Sequence, residues 1–224
     1  GLAEALEDLS TWLDMAGRQE ESLAALRRVI DVHERIATAR PDTHVHDLAL
    51  SFYRLYRRLE ELCRDEEASA AARHAVDVFE RLAAANRDAY LPDLADSLSD
   101  LSFWLNKSGR REEAVAALHR AVDIHERLAA ADPDAHLDDL ARLSYDLANL
   151  LSESGRPEEA LAAIHRSVAA YERIAAVRDA QLTNLAGAVE NLAVLLEESG
   201  RREEASAAAH RAVDIHERLA AADP

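Results

Sequence analysis

The chain of 224 residues is 49% hydrophobic, has only 4% aromatic residues and carries a formal net charge of −17 at pH 7. This charge repels phosphate groups, which excludes nucleic acid and anionic lipid surfaces as main partners. No apolar run approaches the roughly 18–20 residues that span a bilayer. Cys63 has no second cysteine with which to form an internal disulfide, which favours the cytoplasm. We therefore expect a cytoplasmic protein without nucleic-acid or membrane partners.

A short motif, Gly-Arg-x-Glu-Glu, returns five times along the chain. It starts at Gly17, at Cys63 in a copy that lacks the glycine, and at Gly109, Gly155 and Gly200. The steps between copies are 46, 46, 46 and 45 residues. Repetition with such a period indicates a repeat architecture. We predict a single solenoid domain, 1–224, with five repeats: approximately 1–45, 46–91, 92–137, 138–182 and 183–224.

Each repeat predicts two helices, A and B, as the third repeat illustrates. Helix A is expected from about Pro92 to Ser108 because four leucines recur there at helical spacing. Gly109 suits the left-handed position that ends a helix. Helix B is expected to begin near Arg111 and to run for about 20 residues. The leucines are Leu94, Leu98, Leu101 and Leu105.

Helix B of the third repeat carries its own apolar stripe, so one hairpin cannot bury both of its faces. Stacked neighbours can bury them, which predicts an all-α fold of stacked helix-turn-helix repeats. The motif itself then joins helix A to helix B, with its two glutamates in the first turn of helix B. For its arginine we expect a surface or inter-repeat ion pair. The stripe consists of Ala114, Leu118, Ala121, Val122, His125 and Leu128.

The segment "LSDLSFWLNKSGRREEAVAALHRAV", 98–122, resembles the tetratricopeptide repeat. The long period is similar to the 42–46-residue kinesin-light-chain-like variant, as in bacterial signalling proteins. The resemblance implies a right-handed α-solenoid of five repeats and a non-catalytic protein–protein interaction module whose partner lies in a concave groove lined by helix A. The matching residues are Leu98, Leu101, Ser102, Leu105 and Gly109 in helix A and its turn, and Ala114, Leu118 and Ala121 in helix B.

Carried over by register, the central repeats place cations, aromatic rings and amides in this groove. Arginine pairs bidentately with carboxylates, and rings supply rigid apolar contact area. We therefore expect a peptide or helix of a partner protein, with acidic or C-terminal carboxylate groups. The expected groove residues are Tyr53, Arg54, Arg57, Phe103, Asn106, Lys107, Arg142, Tyr145 and Asn149.

Two alternatives stay open. The same side chains could be solvated and paired with neighbouring acids, such as Arg54 with Asp8 or Asp100. The array could also be a structural spacer, a sensor array or a self-association arm of a larger bacterial regulatory protein, because we expect an uncapped apolar face at each end.

No catalytic residue, cofactor or metal is expected. His33, His125 and His216 share a repeat position with Phe79 and Tyr171, which indicates a packing slot. His44 and His46 could chelate a metal weakly, but no metal motif supports them. Trp12 and Trp104 share another position and are expected to pack between repeats. At Cys63 we expect a strained or differently closed turn.

Overall fold

The computed structural model describes residues 1–40, 45–177 and 181–222, and this part of the chain forms ten α-helices and no strand. None of these helices is long and apolar enough to cross a membrane. The all-α repeat fold is confirmed. In chain order the helices are α1 (Leu2–Met15), α2 (Gln19–Ala39), α3 (Val45–Glu61), α4 (Asp65–Ala85), α5 (Arg87–Lys107), α6 (Arg111–Ala131), α7 (Pro133–Glu153), α8 (Pro157–Ala175), α9 (Leu182–Glu198) and α10 (Arg202–Ala222).

The chain divides into two compact units, Gly1–Ala117 and Leu118–Pro224. In the first unit α1 packs on α2, α2 on α3, α3 on α4 and α4 on α5, and α3 also contacts α5. In the second unit α7 packs on α8, α8 on α9 and α9 on α10. Leucine and alanine dominate both cores, and the small alanine side chains let neighbouring helices approach closely. A single 1–224 solenoid domain remains a prediction.

Glycines close the turns between helix A and helix B, as expected. Gly17, Gly109, Gly155 and Gly200 adopt left-handed φ values of +71° to +77°. At Gly109 the amide donates to the carbonyl of Asn106 at 2.9 Å, and the next amide donates to the carbonyl of Leu105 at 2.8 Å. These two bonds satisfy carbonyls at the end of α5 that have no partner within the helix.

The turn at Cys63 closes in the same way, so the expectation of a different closure was wrong. Cys63 takes a left-handed φ of +53°. Its amide donates to Glu60 at 2.8 Å, and the amide of Arg64 donates to Leu59 at 2.9 Å. The bonds that close the turn override the preference of a side chain against this φ, which costs about 1–2 kcal/mol. The expected backbone strain is therefore present in a turn of ordinary geometry.

The arginine of the motif forms the expected ion pair, and the pair lies within the turn. Arg110 donates from Nε and Nη2 to the two carboxylate oxygens of Glu113, each at 2.7 Å. Such a bidentate contact holds the residue before the helix to the third residue inside it. The same contact joins four further pairs: Arg18 to Glu21, Arg64 to Glu67, Arg156 to Glu159 and Arg201 to Glu204. The repeated motif is therefore structural.

Two helix starts differ from the predicted ones. Helix α5 begins at Arg87, so Pro92 lies inside it instead of opening it. Pro92 has no backbone N–H to donate to the carbonyl four residues earlier, and α5 continues past it to Lys107. Helix α7 begins at Pro133, and the side chain of Asp132 accepts from the amide of Ala135 at 3.3 Å. The Asp-Pro-Asp segment thus caps and opens α7, which begins before the predicted start of the fourth repeat at about 138.

Candidate functional site

In the first unit, α1 and α3 enclose a cleft of about 550 Å³. Helix α3 buries Phe52, Leu55 and Leu59 on one face, and the helical period turns another face of α3 toward the cleft. The polar lining comprises Glu7, Asp8, Ser10, Thr11 and Asp14 from α1 and Tyr53, Arg54, Arg57, Arg58 and Glu61 from α3.

Ion pairs cross this cleft from α3 to α1. Arg54 pairs with Glu7, and Arg58 Nη2 lies 2.6 Å from Asp14 Oδ1. Glu7 and Asp14 are seven residues apart, which places them two turns apart on one face of α1. The expected partner of Arg54 within α1, Asp8, is rotated by about 100° from Glu7 and does not form the ion pair. The expectation that Arg54 is paired with a neighbouring acid is therefore confirmed, and its partner on α1 is Glu7 instead of Asp8.

Tyr53 and Arg57 are both exposed on the α3 side of the cleft. The Tyr53 residue is 51% exposed and the Arg57 side chain 59%. Arg57 lies 3.9 Å from Glu61, a looser contact than those of Arg54 and Arg58. A hydrogen bond with Tyr53 raises the pKa of Arg57, and the Glu61 carboxylate raises it further. Arg57 therefore presents a permanent and weakly held positive charge.

On α5, Lys107 and Phe103 flank a buried indole. Lys107 Nζ lies 3.1 Å from Asp65, 3.3 Å from Glu60 and 4.9 Å from the centre of the Trp104 ring. Phe103 meets the same ring edge-on, with centroids 4.9 Å apart, and is 55% exposed. These side chains, and half-buried Asn106, do not line the α1–α3 cleft. The expected groove residues of the first unit thus form two neighbouring patches.

In the second unit, the three expected groove residues all lie on α7. Arg142 is exposed and contacts Asp139 at 3.5 Å and Asp146 at 3.6 Å on its own helix. Partial desolvation raises the pKa of Asp146, whose side chain is 48% exposed, and the positive charge of Arg142 opposes this shift. Asn149 accepts a hydrogen bond at 2.7 Å from Asn191 of α9, so its amide joins two helices. Tyr145 is half-buried beside them.

The two tryptophans of one repeat position have different environments. Trp104 is buried and packs on Tyr56 of α3, with centroids 6.5 Å apart, as expected. Trp12 is 70% exposed, so the expectation that it packs between repeats was wrong. Helix α3 covers Trp104, whereas Trp12 lies on an exposed face of α1.

Two features of possible chemical use were missed from the sequence. Arg58 lines the α1–α3 cleft, and its position four residues after Arg54 on one helix face could have indicated this. Among the described residues, one group of three side chains lies close enough to share a metal ion: His125, His136 and Asp139. His44 lies outside the described residues, so the expected weak chelation with His46 has no structural description.

Known structures share the fold at low sequence identity. The MamA protein matches with a TM-score of 0.58 and 14% identity, over 100% of this chain and 96% of its own. A putative kinesin light chain from Podosopora anserina with nearly identical TPR-like repeats gives 0.58 and 18%, over 98% of both chains. YrrB, a TPR protein with an unusual peptide-binding site, gives 0.50 and 18%, over 94% of this chain and 84% of its own.

The sequence comparisons are specific to the family. No curated protein matches this sequence. The tetratricopeptide repeat family model matches four stretches, 2–37, 94–134, 140–175 and 185–223, which together span more than half of the chain. The unmatched stretch between the first two contains Cys63 and the cleft residues of α3. The chain belongs to the tetratricopeptide repeat family.

Proposed function

We propose that the α1–α3 cleft, together with the exposed side chains of α5, binds an extended peptide or a helix of a partner protein. The family and fold support a protein–protein interaction module in general, on a non-catalytic scaffold. The observation that carries the specific proposal is the pair Tyr53 and Arg57, exposed side by side in a cleft of about 550 Å³.

The charges of the cleft favour a particular kind of peptide. Arg57 is the loosest-held cation and is free to exchange Glu61 for a carboxylate of the partner. Glu7, Asp8 and Asp14 line the opposite wall, and the whole chain carries −17. An acidic stretch would be repelled by this field. A C-terminal carboxylate flanked by basic or apolar residues fits both the arginine and the acidic wall.

The remaining groove residues contribute apolar area and secondary contacts in this proposal. Phe103 offers an exposed ring, and Lys107 offers a second cation next to it. In the second unit, Arg142 and Tyr145 offer the same chemistry on α7. Asn106 is half-buried, and the side-chain oxygen of Asn149 already accepts a hydrogen bond from Asn191. We therefore rank Tyr53, Arg54 and Arg57 first. YrrB, which shares this fold, is described as having a peptide-binding site.

Peptide display followed by a charge-reversal comparison tests the proposal. Peptides with free C-termini are selected on the wild-type chain, and their affinities are measured by fluorescence anisotropy. Arg54→Glu with Arg57→Glu should weaken the selected peptides at least tenfold, and amidation of the peptide C-terminus should do the same. The matched control, Arg28→Glu with Arg35→Glu, makes the same charge change on exposed positions of α2. Equal losses in both double variants would refute a site in this cleft.

A specific observation also favours the alternative, self-association. Helix α1 exposes four apolar side chains, which natural monomers rarely leave together in water. Light scattering over a concentration series of the wild type and of Trp12→Gln tests this role. A monomer at every concentration would refute self-association through α1, while leaving a spacer role intact. The exposed residues are Leu2, Leu9, Trp12 and Met15.

A further inference from the structure

We propose that His125, His136 and Asp139 form a binding site for one Zn²⁺ ion in the second unit. The site joins α6, which carries His125, to α7, which carries the other two residues. Two imidazoles and one carboxylate are a ligand set that suits zinc and leaves one coordination position for water.

The sequence between the helices brings these side chains together. Helix α6 ends at Ala131 and α7 begins at Pro133, so one residue, Asp132, connects them. His136 and Asp139 lie three residues apart near the start of α7, which places them on one face of that helix. That face meets the last turns of α6, where His125 points inward and is 1% exposed.

The geometry is close to that of a zinc site. One potential ligand atom from each residue lies within 4.8 Å of the other two. The imidazole centroids of His125 and His136 are 6.0 Å apart. A tetrahedral zinc ion with bonds of about 2.1 Å needs its ligands about 3.4 Å apart. His136 and Asp139 are only half-buried. Rotation of their side chains can therefore bring the ligand atoms closer together while the packed ring of His125 stays in place.

His125 has different neighbours from the residues that occupy the same position in the other four repeats. Phe79 and Tyr171 fill the position with rings. His33 meets the hydroxyl of Ser51 at 2.7 Å, and His216 meets the carboxylate of Glu190 at 2.8 Å. His125 instead faces a second imidazole and a carboxylate, and no other group of three candidate ligands occurs within 1–40, 45–177 and 181–222.

The surrounding charges are compatible with a cation. Arg142 contacts Asp139 at 3.5 Å and competes for its carboxylate. The same guanidinium also lies 3.6 Å from Asp146, which gives it a second partner when Asp139 turns to the metal.

Metal binding to the chain without a histidine tag tests the proposal. Isothermal titration with ZnCl₂ should show one equivalent bound, and Co²⁺ should give the visible absorption bands of a tetrahedral site. His125→Phe places in this slot the residue found at position 79 and should weaken Zn²⁺ binding at least tenfold. Asp139→Asn changes a half-exposed side chain and should weaken binding by a similar factor without disturbing the core.

The matched control is His216→Phe, which makes the same substitution at the same repeat position outside the site. It should leave affinity and stoichiometry within twofold of the wild type. Zn²⁺ should also raise the midpoint of thermal unfolding of the wild type and of the control, and should not raise that of His125→Phe. Equal affinity in the wild type and Asp139→Asn, or the absence of a one-to-one equivalent, would overturn the proposal.

Discussion

Cys63 occupies a backbone conformation that glycine occupies in the four other turns. Its φ is +53°, against +71° to +77° for the glycines. The hydrogen bonds that close the turn have the same lengths within 0.1 Å at Cys63 and Gly109. The ends of the two helices therefore specify the turn, and glycine only lowers the free-energy cost of its left-handed conformation.

We expect Cys63→Gly to stabilise the protein by about 0.5–1 kcal/mol. The substitution relieves about 1–2 kcal/mol of left-handed strain and loses part of it to the greater freedom of glycine in the unfolded chain. Urea unfolding followed by circular dichroism measures the change.

The reciprocal variant, Gly109→Ala, should cost about 0.5–1 kcal/mol. No atom lies within 4 Å of a Cβ built at Gly109, so only the backbone is strained. Stabilisation by both variants, or by neither, would show that the two turns do not share one conformation.

The arginine–glutamate contact of each turn predicts a titration shift. The hydrogen bond from Arg110 holds the pKa of Glu113 below its usual value. The contact thus adds stability above the pKa of glutamate in the unfolded chain, and this contribution disappears as the pH falls through the lower, folded value. In Arg110→Ala, carboxylate NMR should show Glu113 titrating at a higher pH. Glu159, which keeps Arg156, should titrate as in the wild type.

At the scale of the helices, helix A provides both the packing between neighbours and the variable surface. Trp104 fills the space between α5 and α3, where it contacts Tyr56. Tyr56 is itself buried, and this burial raises the pKa of its hydroxyl well above the usual value. The surface turns of the same helices carry Phe103 and Lys107. One face of α5 therefore packs in the core, and another face carries residues of the candidate site.

The two tryptophans give a matched test of this packing. Trp104→Ala should cost about 3 kcal/mol or more, because it opens a cavity beneath α3. Trp12→Ala should change the free energy of unfolding by less than about 1 kcal/mol, since the side chain is 70% exposed. Equal costs in urea unfolding experiments would contradict the packing described for α5.

The sequence predicted the helices well and the side-chain partners poorly. Leucine spacing and the glycine motif suffice for the ten helices because burial and turn closure act within a few residues. The start of α5 was missed because Pro92 was expected to open the helix, whereas α5 begins at Arg87 and continues through the proline. The partner of Arg54 and the grouping of His125 with α7 depend on the rotation of one helix against another, which periodicity does not encode.

At the scale of the whole molecule, identical structural elements carry different surfaces. The Gly-Arg-x-Glu-Glu turns and the inner stripes of helix B hardly vary, whereas the helix A surfaces differ from repeat to repeat. The second repeat departs furthest: it has Cys63 in its turn, falls outside the family-model matches and supplies Tyr53, Arg54 and Arg57. The protein carries a net charge of −17, and this cleft places three arginines beside four carboxylates.

The central claim is that this cleft binds peptides, and the affinity of one selected peptide decides it. The ratio of dissociation constants between Arg54→Glu/Arg57→Glu and the wild type should be at least tenfold, which corresponds to about 1.4 kcal/mol. The ratio for Arg28→Glu/Arg35→Glu should stay within twofold, because those residues lie on α2 away from the cleft lining. Unchanged affinity in the cleft variant, with both proteins folded, would contradict the account.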